Sequence, residues 1–587
     1  MRALTQRLLV STLPLALLAA AAQAQQAPAA KSTNPLEKLS PVTESLLRNP
    51  PAADWLMGRR TYDNQGYSPL DQINTKNVKN LKVAWTWSMT SGVTEIAPIV
   101  HDGVLFITNA GDKIQALNGA SGDLLWEYQR QVPQKLLTEG GNSLAKRNMA
   151  IYDNKLIIAT SDAHLVALDT KTGKVIWDHT VADWNKGFRY SSGPFMANGV
   201  IVASMSGCNA AQAGGCFITG HKPDSGEEIW RVHTVAQNGD PNEKTWNGLP
   251  LEQRFGGSAW IAGSYDPEQN LIFHGVGQPY PWIAEMRGTL PKKDGFDNNA
   301  LYTDSTLAID ASTGKLKWYF QHLQNDTLDL DYSYERILVD IPVNGQPRKA
   351  VVTAGKLAIL EALDRTTGKF LWAKETAPQT VVSKIDPVTG EKTLNPEAIP
   401  HIGKTTFNCS ADPGARGWPA TAYSPRTKML YMPLTEFCAN TTPTPLEPGQ
   451  AYTGGGRAVY ARVPVPKSDG NFGRIDAIRL SDQKQVWTYR QRAASSSAVL
   501  PTAGGVLFAG SLDRWFRAFD DTTGKILWQI RTNNAVNAFP VSYAVNGKQY
   551  IAVAVGNGSS QLRSLNTLTP EVKNPDLGAM LWVFALP

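Results

Sequence analysis

The residues best suited to chemistry in this chain stand apart from its repeated segments. Trp260, in FGGSAWIAGSYDP, lies outside the phrase that uses most other tryptophans, so its indole is free to stack on a planar ring. Arg147, in AKRNMAIY, and Lys356, in TAGKLAILEALDR, are cations outside the repeated phrase. A lone basic residue is ordinarily a solvated surface charge, but the apolar run after Lys356 weighs against that reading. Asp310, in LAIDASTG, could accept a proton or ligate a cation. The competing reading is structural, because Asp169, Asp364 and Asp520 fill the same slot of the repeat as turn residues. Four cysteines (Cys208, Cys216, Cys409 and Cys438) allow three disulfide pairings, the sequential one being simplest. No C-x-x-C-H occurs, so the chain carries no covalently attached c-type haem.

These residues must be positioned by the repeat itself. ALNGASGDLLW, ALDTKTGKVIW, AIDASTGKLKW, ALDRTTGKFLW and AFDDTTGKILW end at Trp126, Trp177, Trp318, Trp372 and Trp528. Degenerate copies end at Trp230 and Trp487. Each reads as a β-hairpin, an alternating strand, an Asp/Thr/Gly turn and a second strand carrying the Trp. Such units cannot bury their faces alone, so their recurrence predicts an all-β propeller, with the Trp between neighbouring blades. NLKVAWTWSM (80–89) and the final LWVFAL (581–586) look like two strands of one shared closing blade, which brings the expected count to eight. Residues 280–300 and 439–470 have weak strand patterning and are expected as insertions over one face of the ring.

Composition narrows the class. A net charge of +6 is spread without any Lys/Arg run, which argues against nucleic acid as a partner. Arg2 and Arg7, the apolar stretch 8–22 and Ala22-Gln23-Ala24 read as an export signal with its cleavage site. The stretch is short for a membrane span, and no other approaches one. The expected organisation is a signal peptide (1–24), an N-terminal extension (25–50) and one propeller domain (51–587). A periplasmic location, where cysteines pair, follows.

The segments DWLMGRRTYDNQGYSPLDQIN (54–74), TEIAPIVHDGVLFI (94–107), FGGSAWIAGSYDP (255–267) and NAFPVSYAVNGKQYIAVAVGNG (537–558) resemble, in this order, the pyrroloquinoline quinone (PQQ)-dependent alcohol dehydrogenases. The resemblance runs from Asp54 nearly to the end. It implies a tricyclic quinone lying on Trp260, with Glu95, Arg147, Ser191, Lys356 and Trp418 as further cofactor contacts. It implies Asp310 as the general base, with Lys356 stabilising negative charge on the quinone oxygens while hydride passes to the quinone. Asp310, Asn209 and Gln278 fall where the family holds its metal; Asn209 replaces a Glu and Gln278 an Asn. Lanthanide-selecting members carry a second Asp two residues after the base. Ser312 stands there, so Ca²⁺ is expected.

The resemblance also implies a structural Cys409–Cys438 disulfide. The family's adjacent-cysteine ring is missing from LTEGGNSLAKRN (137–148), and the Cys208–Cys216 loop is a candidate replacement for that ceiling. The family's W-D-Y-D appears as Leu328-Asp329-Leu330-Asp331, and Gly417 replaces an Asn before Trp418, which suggests a roomier pocket. The implied activity is oxidation of a bulky, secondary or polycyclic alcohol, as in relatives acting on polyvinyl alcohol or deoxynivalenol, with electrons passed to an external cytochrome c or similar carrier. Two other readings stand beside it: a PQQ-dependent sugar or aldehyde dehydrogenase, and a non-catalytic scaffold of the outer-membrane assembly type. The scaffold would need a lipid-bearing Cys after the signal, which this chain lacks, and would not need Trp260, Lys356 or Asp310.

Overall fold

The computed structural model describes residues 34–139, 145–208, 213–445, 457–559 and 563–587. The export signal and Asn209 lie outside them. Among the described residues, eight four-stranded antiparallel sheets follow one another along the chain as a β-propeller. One sheet joins the two ends: Lys82–Ser88 pairs with Met580–Ala585, which continues into Lys548–Val555 and Val541–Val545. The pairing expected of 80–89 and 581–586 is therefore present, and it places Met580–Ala585 inside the sheet with Lys82–Ser88 as the edge strand.

The repeated phrase works as follows. Ala116, Ala167, Ala308, Ala362, Ala477 and Ala518 each sit directly opposite the phrase's Trp, and the ladder shifts register immediately afterwards. The indole then reaches the next sheet. Trp126 donates to Thr170 O (2.9 Å), Trp177 to Pro223 O (3.0 Å), Trp230 to Ala311 O (3.0 Å) and Trp487 to Asp521 O (3.0 Å). Trp528 donates to Leu81 O (3.2 Å) across the closure. The turn Gly receives the indole face. At Gly314 (φ +69°) a Cβ would lie 2.7 Å from Trp230. The phrase is thus a staple between neighbouring sheets, and its Asp is part of the turn.

Inner strands such as Val104–Asn109 and Val200–Ser204 are buried along their whole length, because neighbouring sheets cover both faces. Outer strands such as Leu124–Gln129 alternate between exposed and buried positions. The packed body begins before residue 51: Leu39, Val42 and Leu47 are buried, and Val42 bridges to Asp153. The described parts of the 439–470 segment contain strands that its composition does not suggest. Cys438–Thr444 and Arg457–Val463 pair with each other, and Thr406–Cys409 adds a third strand. No helix among the described residues is long and apolar enough to cross a membrane.

Candidate active site

A cavity of about 370 Å³ opens at one end of the ring. Its lining comes from loops that precede the first strand of a sheet (Arg147, Ser191, Trp260, Asp329, Asp331, Asp412) or follow the second (Ser206, Gln278, Lys356). Both kinds of loop emerge on the same side of a propeller, so successive sheets each offer side chains to one central space.

The floor is Trp260, 8% exposed. Tyr334 packs edge-on against it (5.3 Å, 81°), and the Arg147 guanidinium lies 4.7 Å from the indole centroid. Arg147 donates to Ser191 O (3.0 Å) and pairs with Glu95, so Glu95 orients the arginine without lining the cavity. Ser191 Oγ lies 3.1 Å from Ser206 Oγ on the wall.

The cavity's charge centres on Lys356 Nζ, which lies 3.1 Å from Asp329 Oδ1, 2.9 Å from Asp331 Oδ2 and 3.5 Å from Asp412 Oδ1. Burial works against its charge, but the three carboxylates outweigh burial and hold the ammonium well above the ordinary lysine range. Arg462 Nη2 takes the other face of Asp412 at 3.2 Å. Asp331 Oδ1 accepts from Trp260 Nε1 (3.1 Å), so both its oxygens are engaged. Gly277 makes room for this carboxylate, since a Cβ there would lie 2.2 Å from Asp331 Oδ1. Asp329 differs. Its Oδ1 is buried with only the ionic contact to Lys356 and no aligned hydrogen-bond donor. Its backbone adopts φ +60°, a conformation that costs energy for a residue with a side chain. Burial pushes its carboxyl up. One layer deeper, Asp304 is fully buried with both oxygens unpartnered, and burial with the neighbouring Asp326 pushes it well above the carboxylate range.

Two expected residues are elsewhere. Asp310 ends the strand Ser305–Asp310 at the periphery, where Oδ1 accepts from the backbone N–H of Ser312 and Thr313 and from the Thr313 hydroxyl. Lys317 lies 3.5 Å from its other oxygen. Asp169, Asp364 and Asp520 make the same turn contacts. The structure therefore does not bring Asp310 to the cavity as base or metal ligand, and the turn reading of its slot applies. Ser312 lies in that same turn, its hydroxyl accepting from Asn198 and Asn270, so it says nothing about metal choice. Trp418 is buried beside Phe539 (5.7 Å) and does not line the Trp260 cavity. Leu328 and Leu330 are packed among Leu323, Tyr332 and Leu357, so they do not widen the pocket.

Other expectations meet at the cavity. Gln278 lines it; its Nε2 donates to Tyr280 OH (3.0 Å), and its Oε1 is buried without a donor. Both disulfides follow the sequential pairing. Gly207, next to Cys208, is part of the lining, and the Cys409–Cys438 link braces the segment that carries Asp412. Sequence reasoning did not single out Asp329, Asp331 or Asp412 as site residues. The available signal was a pair of acids two apart inside an apolar run, LDLDY.

These donors fit a hard divalent cation. Asp329, Asp331 and Asp412 face two cations, Lys356 and Arg462, which leaves negative charge in excess. Gln278 Oε1 is a buried oxygen with no donor of its own. The only trio of His, Cys, Asp or Glu ligand atoms within 4.8 Å of one another among the described residues is Asp54, His101 and Asp102, remote from the cavity. The cation would therefore be held by mixed oxygens, not by a ready-made carboxylate cluster.

The chain matches the PQQ glucose/ethanol/alcohol dehydrogenase β-propeller domain family over residues 55–409 and 384–551. It is 30% identical over 549 residues to the quinoprotein alcohol dehydrogenase PedH of Pseudomonas putida, covering 89% of each chain. It is 32% identical over 565 residues to the quinohemoprotein alcohol dehydrogenase of Comamonas testosteroni, covering 92% of this chain and 77% of that one. The solved structure of a Comamonas testosteroni quinohemoprotein alcohol dehydrogenase superposes with a TM-score of 0.83 at 26% identity, covering 94% of this chain and 84% of that one. A europium-containing methanol dehydrogenase gives 0.81 at 25% identity, over 92% and 99%.

The chain therefore belongs to the PQQ-dependent quinoprotein alcohol dehydrogenases, and PQQ is the cofactor this membership implies. The scaffold reading is set aside.

Proposed function

We propose that this chain oxidises a bulky alcohol, including secondary alcohols, in the periplasm and passes the electrons to an external one-electron carrier such as a cytochrome c. The single observation that carries the mechanism is Asp329 Oδ1, buried at the cavity and lacking a hydrogen-bond donor. That oxygen takes the proton of the substrate hydroxyl. Lys356 Nζ, in contact with Asp329 and Asp331, supplies positive charge beside the reacting oxygens. Trp260 gives a planar ring its floor, Arg147 and Ser191 offer donors at its edge, and Asp331 fixes the indole. PQQ, when bound, supplies the two-electron acceptor for the alcohol carbon. Gln278 would hold the cation, which we infer to be Ca²⁺ from the all-oxygen donor set; Asn209 is proposed as a further ligand. The cation would supply Lewis acidity toward a carbonyl oxygen.

One stretch of the wall is built of small residues (Ser191, Ser206, Gly207, Ser258), and the cavity of about 370 Å³ supports a large substrate. Tyr280 and Arg462 bring the 280–300 and 439–470 segments to the cavity, as binding insertions should. The formed disulfides and the leader-like sequence pattern of residues 1–24 support the periplasm.

The test is to load the purified protein with PQQ and Ca²⁺ and follow dye reduction with primary, secondary and polycyclic alcohols, sugars and aldehydes. Turnover should be highest with bulky alcohols and should fall roughly 10²–10⁴-fold in Asp329→Asn. Preferential turnover of sugars or aldehydes, or an unaffected Asp329→Asn enzyme, would contradict the proposal.

A further inference from the structure

We propose a second binding site, between Arg59, Arg147 and Trp418, for a small monovalent anion such as chloride. A separate cavity of about 50 Å³ lies there, room for one monatomic ion with a water. Its walls are mainly apolar, yet they present donors with nothing to bind. Arg59 Nε, Arg147 Nε and Trp418 Nε1 are all buried and lack an acceptor among the described residues. Arg59 is 7% exposed and Trp418 1%, so bulk water does not serve them. The remaining contacts fix these side chains: Arg59 Nη2 donates to Thr421 O (2.6 Å), and Phe539 lies under the Arg59 guanidinium (5.9 Å) and beside Trp418 (5.7 Å).

The charge count selects an anion over water alone. Arg147 is neutralised by Glu95 and Arg416 by Glu335. Glu335 also borders this cavity; its Oε1 accepts from Arg416 and from both the N–H and hydroxyl of Thr421, and it makes no ion pair with Arg59. Three guanidiniums (Arg59, Arg147, Arg416) therefore face two carboxylates (Glu95, Glu335). A buried guanidinium without a counter-charge is costly. Burial, reinforced by Arg416 against the pull of Glu335, pushes Arg59 down to about 10, the direction expected of a cation short of a partner. A halide is weakly hydrated, spherical and suited to convergent N–H donors in apolar surroundings. Asn148 Oδ1, also unpartnered at this cavity, can accept from the accompanying water. Arg147 borders both cavities, so an anion here would steady the guanidinium that lies on the Trp260 floor.

The experiment uses the full chain soaked in bromide, with diffraction collected at the bromine edge, and thermal melts in chloride against sulfate at matched ionic strength. The expected result is an anomalous peak within hydrogen-bond distance of Arg59 Nε and Trp418 Nε1. The melting temperature should rise with chloride and not with sulfate, a doubly charged oxyanion whose stronger hydration mainly apolar walls do not replace. Trp418→Phe keeps the shape and removes one donor; it should raise the chloride midpoint roughly tenfold, as loss of one hydrogen bond to a charge does. Arg59→Met should abolish the chloride response. A cavity holding only water with no anomalous peak would overturn the proposal. So would an unchanged chloride response in Trp418→Phe, which remains informative if Arg59→Met fails to fold.

Discussion

Trp260 Nε1 and Lys356 Nζ are joined through one carboxylate: Asp331 accepts from the indole at 3.1 Å with Oδ1 and faces the ammonium at 2.9 Å with Oδ2. The floor of the cavity and its central cation are therefore set by the same side chain. An indole that could otherwise rock about its χ angles is held in one orientation at the cavity floor.

Replacing Trp260 with Phe leaves an aromatic floor but breaks that link. PQQ affinity should fall roughly tenfold, the cost of one hydrogen bond to a charged group. Trp260→Ala should lose more, since the stacking surface goes too. Titrating PQQ into the protein and following tryptophan fluorescence measures both.

Asp310 and Asp329 make opposite predictions. Asp310→Asn keeps an acceptor for the turn and should leave turnover within about twofold, with a stability change of up to ~1 kcal/mol. Asp329→Asn should remove turnover while PQQ still binds. Comparing the two variants at saturating alcohol decides which carboxylate is the base.

His101 should make stability depend on pH. Its Nδ1 lies 2.8 Å from Asp54 Oδ2 and its Nε2 2.9 Å from Ser40 O, clasping the N-terminal segment to the first sheet. Burial opposes the charged ring, but the bond and charge of Asp54, with Asp102, outweigh it and raise His101 above its ordinary 6.5. A raised histidine contributes stability that is complete below 6.5 and is lost as pH climbs through the folded value. Denaturant midpoints should therefore decline above that pH in the native protein and decline less in His101→Gln.

The Cys409–Cys438 disulfide closes a loop of 29 residues, worth about 3–4 kcal/mol on chain-entropy grounds. Changing both cysteines to Ser should lower the melting temperature. It should also weaken PQQ retention, because Asp412, one of the three partners of Lys356, sits on the braced segment. Equilibrium dialysis of PQQ separates the second effect from the first.

The propeller was legible because its staple recurs: each Ala, Gly and Trp of the phrase has a fixed mechanical task, repeated from sheet to sheet. Trp260 and Lys356 were legible for the complementary reason, since neither fits that task. The same regularity misled at Asp310. A motif-level resemblance favoured chemistry there, while three identical slots pointed to a turn, and the turn contacts account for every nearby donor. Asp329, Asp331 and Asp412 could not be grouped from sequence. Asp329 and Asp331 share one loop, but Asp412 and Lys356 come from other loops, and only the fold brings all three acids to one ammonium.

The most direct test is the structure of the PQQ-loaded protein. The account predicts the tricyclic ring stacked on the indole of Trp260, with its oxygens toward Lys356 and Asp329 Oδ1 open to a substrate hydroxyl. A loaded protein whose quinone lies elsewhere, or whose Asp329 is turned away with another carboxylate in its place, would contradict it.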